Sequence, residues 1–101
     1  MKQYDVFVAG RDGDTPVYAI VMQHPGLYTL ETVFVAPLVP LDQGPPIPVI
    51  NPTVSVLDQD YFVAVHEMSA IPKSLFKGKV CDLEEQFYDF SKALDRLFSG
   101  I

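Results

Sequence analysis

The chain is poor in the residues that build redox, metal and nucleic-acid sites. It holds one cysteine, Cys81, which excludes an internal disulfide and fits a reducing compartment. Its only histidines are His24 and His66, and no His, Cys or Asp spacing typical of a metal site occurs. There is no glycine-rich phosphate loop, and no cofactor is expected. Seven basic residues face thirteen acidic ones, a net charge of -6. That balance argues against nucleic-acid phosphates as the main ligand, because such binding rests on Lys and Arg. It suits a chain that meets another protein, particularly one with a basic patch. No apolar run approaches the roughly 20 residues of a membrane span. The opening Met1-Lys2-Gln3-Tyr4-Asp5 has no apolar signal-peptide segment, so a cytoplasmic protein with no membrane contact is expected.

What is present is a globular composition, 49% hydrophobic and 20% charged, on 101 residues. One domain over 1–101 is expected. The first two thirds read as β-structure. Tyr4 to Ala9 alternates, with Tyr4, Val6 and Val8 on one face and Asp5, Phe7 and Ala9 on the other. Arg11-Asp12-Gly13-Asp14-Thr15 is turn chemistry, and Val17 to Met22 is the returning strand of a hairpin. His24-Pro25-Gly26 breaks the chain again, and Thr32 to Leu38 is a third strand stopped by Pro37 and Pro40. Pro37 to Pro52 carries six of the nine prolines and reads as an extended surface loop, since proline lacks the donor a central strand needs. Ile47, Val49 and Ile50 are its apolar residues. Thr53 to Leu57 and Tyr61 to His66 form a second hairpin, joined by Asp58-Gln59-Asp60. Met68 to Leu75 is a connector with a short helical turn, limited by Pro72.

The last segment is an amphipathic helix. Asp82 and Glu85 have the spacing of a capping box, and Leu83, Phe87, Phe90, Leu94 and Leu97 recur at intervals of 4, 3, 4 and 3. Gly100 is the expected stop. Five or six short strands followed by one helix predict a mainly β, antiparallel, barrel-like sheet with a helix on it.

Candidate chemistry is sparse. His66 ends an apolar strand and His24 precedes a turn, so both read as residues without a chemical role. Cys81 lies just ahead of the helix, where a dipole lowers a thiol pKa, but it reads better as a small half-buried residue. Asp12 and Asp14 flank a glycine as in part of a calcium loop, yet the ligand run is too short and a hairpin turn is the better reading. The ending stands out instead. Chain ends are usually polar and frayed, whereas Leu97-Phe98-Ser99-Gly100-Ile101 is apolar and tied to a helix. That suggests a contact surface.

This ending resembles the carboxyl terminus of the CcdB family of toxins, which finish on Gly-Ile after an A-L-D-x-L helix, here Ala93-Leu94-Asp95-Arg96-Leu97-Phe98-Ser99-Gly100-Ile101. Met68-Ser69-Ala70-Ile71-Pro72 is similar to the family's segment at the same distance from the end. Val33-Phe34-Val35-Ala36-Pro37-Leu38 matches its central strand, and Asn51-Pro52 and Tyr18 to Gln23 match as well. The resemblance covers most of the chain.

It implies an SH3-like barrel of the CcdB/MazF type that forms a homodimer. It implies a type II toxin–antitoxin toxin that binds the DNA gyrase A subunit, traps it on cleaved DNA, and is neutralised by a cognate antitoxin, the pair repressing its own operon. DNA contact would then come mainly from the antitoxin, with none expected from this chain alone. It carries the gyrase-binding tip over to Phe98, Ser99, Gly100 and Ile101, and no catalytic residue is implied. Where family members can carry a tryptophan this chain has Ser99, and it has no tryptophan at all. A tryptophan stacked on a target arginine contributes roughly 0.5–2 kcal/mol. Two alternatives are carried forward. One is an endoribonuclease of the MazF/Kid type on the same fold, with Arg11, Asp12 and Asp14 in the first loop. The other is a decayed or retargeted homologue that binds only antitoxin.

Overall fold

The structure, a computed structural model, describes residues 1–11, 13, 15–24 and 31–100. Seven strands form one antiparallel sheet: β1 (Asp5–Ala9), β2 (Val17–Val21), β3 (Thr32–Pro40), β4 (Thr53–Val56), β5 (Gln59–Val63), β6 (Ser69–Pro72) and β7 (Phe76–Asp82). The helix α1 (Phe87–Ser99) follows. The strand order is β4-β5-β3-β2-β1-β7, with β6 paired to β3. The expected β1–β2 hairpin is present, with Val6 opposite Ile20 and Ala9 opposite Val17. Asp12 and Asp14 of its turn lie outside the described residues.

β3 joins the halves of the sheet. On one edge it pairs with β2. On the other it pairs first with β6, Thr32 to Val35, and then with β5, Leu38 to Pro40. Pro37 does not end the strand, contrary to expectation. An extended residue points its N–H and C=O to the same side, and the Pro37 carbonyl accepts from Ala64 N–H at 2.9 Å. The absent Pro37 N–H therefore falls where β3 passes from β6 to β5, a gap in the ladder that costs no bond.

Both faces of the sheet are apolar, which explains the long hydrophobic runs of β2 and β3. Tyr4, Val6, Ile20, Ala36, Leu38, Val63 and Val65 pack beneath α1 against Phe90 and Ala93. Ala9, Ala19, Val21, Val33 and Val35 cluster on the opposite face with Phe7, Ile71 and Phe76. The alternation read from β1 thus separates the two cores. Phe90, fully buried, packs on Tyr4 with ring centroids 4.8 Å apart and planes tilted by 42°. Burial of such a ring contributes about 1.5–3 kcal/mol.

Several local expectations give way. The β4–β5 connection is Leu57-Asp58 rather than Asp58-Gln59-Asp60, because both residues take positive φ, 50° and 64°, the pattern of a tight two-residue turn. Met68 to Leu75 holds β6 as well as the expected turn, a 3-10 turn at Lys73–Leu75, and β7 follows it. The helix starts later than expected. Asp82 ends β7, its Oδ1 accepts from Glu84 N–H at 3.4 Å, and the residue that precedes the 3-10 turn at Glu84–Gln86 is Leu83, so Asp82 is not the N-cap of α1. Among the described residues no helix is long and apolar enough to cross a membrane.

Candidate functional site

α1 ends as the sequence suggests. Gly100 takes φ 71°, a left-handed conformation, and its N–H donates to the Arg96 carbonyl at 3.0 Å, closing the helix. A Cβ at Gly100 would meet nothing within 4 Å, so the position needs glycine for its backbone angle and not for space. Phe98 is 72% exposed, and Ser99 and Gly100 are exposed beside it. Phe98 thus ends the helix as a largely uncovered phenyl ring, three turns of α1 being held to the sheet by Phe90 and Ala93. Ile101, the fourth expected site residue, lies outside the described residues.

Successive residues of a helix turn by about 100°, so Phe98 and Ser99 address different sides. Phe98 shares a face with Phe87, about three turns earlier. Phe87 was expected in the core stripe but is 53% exposed. Within α1 the core direction is set by Phe90, Ala93 and Leu97, and Phe87 lies about 90° around the helix from it, at the edge of the apolar stripe. Phe87 stands instead over an open groove of about 490 Å³ lined also by Lys2, Gln3, Tyr4, Glu84 and Ser91. Tyr88, exposed too, meets Phe87 edge-on at 5.9 Å. The candidate surface thus runs the length of the helix, and the sequence reading missed its first half.

Ser99, about 100° around the helix from Phe98, lines an open groove of about 580 Å³ shared with Val49, Lys92, Asp95 and Arg96. The proline-rich segment supplies this second wall. Asn51, buried, holds that segment in place: its Oδ1 accepts from Ile47 N–H at 2.8 Å and its Nδ2 donates to the Val63 carbonyl at 3.2 Å. Nδ2 is also 3.1 Å from His66 Nδ1. His66, exposed on a 3-10 turn at Val65–Glu67, therefore supports the loop.

The remaining candidates stay apart. Arg11 is exposed at the far end of β1, and its expected companions Asp12 and Asp14 lie outside the described residues. Cys81 sits half-buried in β7, not at a helix start. Burial pushes its thiol pKa up, the charges of Asp82 and Asp5 add to the rise, and Lys79 opposes it. Asp5, almost fully buried, accepts from Lys2 N–H at 2.8 Å and lies 3.3 Å from Lys79 Nζ. Among the described residues no group of three His, Cys, Asp or Glu side chains gathers as metal ligands do.

Comparison with known proteins extends this picture. A family model described as CcdB protein matches residues 3–100. No curated protein matches. Among solved structures, the Mycobacterium tuberculosis toxin MazF-mt6 superposes with a TM-score of 0.77 at 18% identity, covering 94% of this chain and 96% of its own. An endoribonuclease in complex with its cognate antitoxin, from mycobacterial species, superposes with a TM-score of 0.80 at 9% identity, covering 98% of this chain and 95% of its own. At such identities the likeness concerns the fold alone. It bears out an SH3-like barrel of the CcdB/MazF type.

Proposed function

The chain belongs to the CcdB family of toxin–antitoxin toxins, and we propose that it acts on the DNA gyrase A subunit through the exposed end of α1, trapping gyrase on cleaved DNA. The observation that carries this reading is the uncovered Phe98 ring beside the left-handed Gly100. Together they form an apolar anchor on a rigid element, the kind of group that dominates binding energy when buried by a partner. Ser99 replaces the tryptophan other members can place there, so Phe98 takes the aromatic part of the contact. Poisoning by this route is binding and not catalysis, and no side chain needs to act as acid, base or nucleophile.

The partners in this reading are gyrase, a cognate antitoxin and a second copy of the chain. An antitoxin partner is supported by the family and by the antitoxin-bound structure of similar fold. The net charge of -6 is no obstacle to a protein target. The protein would act in the cytoplasm, where gyrase is.

The test is incubation of purified protein with gyrase, ATP and supercoiled plasmid. Linear, protein-linked DNA is expected, and its loss on deletion of Ser99 to Ile101 from a protein that still folds. Equal trapping by the truncated protein would refute the reading.

An endoribonuclease is the second reading, favoured by the structural likeness to an endoribonuclease. Against it stands the acidic balance of the chain, a net charge of -6, since a phosphodiester transition state calls for positive charge. RNA cleavage that disappears in Arg11→Ala would establish it instead.

A further inference from the structure

Val49 has a backbone that its side chain disfavours. Its φ is 69°, and the Ile50 N–H donates to the Pro48 carbonyl at 2.8 Å across it, which makes Val49 the centre of a γ-turn of the rare positive-φ kind. A β-branched residue in the left-handed region is a true outlier. Glycine or asparagine would sit there with less strain.

Packing within the chain does not explain the strain, because Val49 is 48% exposed. Nor is the loop loose. Asn51 N–H donates to the Ile47 carbonyl at 2.9 Å, closing a tight loop around Val49, and the Asn51 side chain fastens that loop to β5 and His66. The fold thus holds an uncovered valine in a costly conformation. Such strain persists where the surroundings over-determine it, and it concentrates at ligand-contacting sites.

The side chain is presented to the groove it shares with Lys92, Asp95, Arg96 and Ser99, at the end of α1 that also carries Phe98. Lys92 and Arg96 lie one turn apart on the groove wall, and neither has an ion-pair partner among the described residues. Asp95 supplies one opposing charge, which leaves the described side chains of the wall net positive on a protein of net charge -6.

We infer that Val49 is a contact residue for the protein engaged by the end of α1, and that the groove accepts from it an apolar side chain flanked by a carboxylate. The inference rests on the reading of that end as the target-binding tip. The contact surface then has two walls, one from the helix and one from the proline-rich loop. Val49 supplies an apolar contact on the loop side, where Ser99 supplies none from the helix.

The experiment compares wild type with Val49→Gly and Val49→Asn, both compatible with positive φ. Three readouts are taken: melting temperature, growth arrest on graded expression, and linear DNA from gyrase. Both variants should melt at or above the wild-type temperature, yet need at least tenfold more protein for the same growth arrest. A merely structural residue would lose stability on losing its side chain. Undiminished growth arrest in both variants, or a melting temperature several degrees lower in both, would overturn the inference. If wild type traps gyrase and the variants do so equally well, the gyrase reading stands and Val49 falls. If wild type arrests growth without trapping gyrase and the variants lose arrest, Val49 stands and the target is another protein. A wild type that does neither removes both.

Discussion

The side-chain amide of Asn51 lies 3.1 Å from Nδ1 of His66, and the surroundings of Asn51 decide which of the two donates. The Ile47 N–H requires the Asn51 oxygen, and the Val63 carbonyl requires its nitrogen. Nδ2 therefore donates to His66, whose Nδ1 must be the unprotonated nitrogen. The direction of this bond is set by the two backbone partners of Asn51 and not by the imidazole.

Replacing Asn51 by Leu keeps similar bulk but strands the Ile47 N–H and the Val63 carbonyl. An unsatisfied buried group costs about 1–3 kcal/mol, so a loss of roughly 2–4 kcal/mol is expected in urea unfolding. His66→Ala, at an exposed position, should cost about 1 kcal/mol or less. A larger effect at His66 than at Asn51 would contradict the arrangement.

Phe90 and Phe98 predict opposite phenotypes. Phe90→Ala empties the centre of the helix-side core and should cost about 3–5 kcal/mol. Phe98→Ala removes a ring that touches little of its own chain, and its stability should change by about 0.5 kcal/mol or less. Binding to the target should nonetheless weaken at least about tenfold, or roughly 1.4 kcal/mol. Calorimetry of folding and of target binding on the same two proteins separates these effects. Phe87→Ala should resemble Phe98→Ala.

The Leu57-Asp58 turn can be improved. Both residues hold positive φ, and Leu57 is 70% exposed, so neither gains packing in return. Leu57→Asn with Asp58→Gly gives the pair that such a turn prefers. A gain of about 1–2 kcal/mol is expected in chemical denaturation.

Cys81 should behave as a protonated thiol at neutral pH. Burial raises its pKa, with Asp82 and Asp5 adding to the effect, so alkylation should be slow at pH 7 and accelerate steeply with pH. For an acid whose pKa is higher in the folded state, the unfolded chain loses its proton first as pH rises. The thiol's contribution to stability is therefore complete below the unfolded value and lost as pH climbs through the folded one. Cys81→Ser should flatten this alkaline decline in melting temperature.

The legible parts of the fold were those with an unbroken period. β1 alternates cleanly, and β2 and β3 carry apolar residues into cores on both faces, although Val17 and Phe34 stay exposed. β7 was illegible for a physical reason. It is an edge strand, and register shifts against β1 break its period beside the exposed Lys77, Gly78 and Lys79. Bulges and lysines protect an edge from foreign strands, and the same devices erase the pattern by which strands are recognised. At the site, the ending showed Phe98, Ser99 and Gly100 as a candidate contact. Phe87 was misassigned because intervals of 3 and 4 also admit a residue at the edge of the apolar stripe, whereas packing centres that stripe on Phe90 and Ala93. Val49 could not be chosen from sequence, because its distinction is a backbone angle imposed by Asn51, not a property of valine.

β3 has one further consequence, for the order in which the chain comes together. The β4–β5 hairpin and the β2–β1–β7 side join the same sheet only through this strand, and β6 shares its edge with β5. Neither half can complete its ladder until β3 is in register with the other, although β4–β5 and β1–β2 can each close locally. The slow event in folding is then the docking of two preformed hairpins on one central strand, a closure over long loops whose entropy is lost before its contacts are made. The amides of β3 should be the last to exchange with solvent. A register slip of that one strand would misplace the helix-side core and the opposite core together.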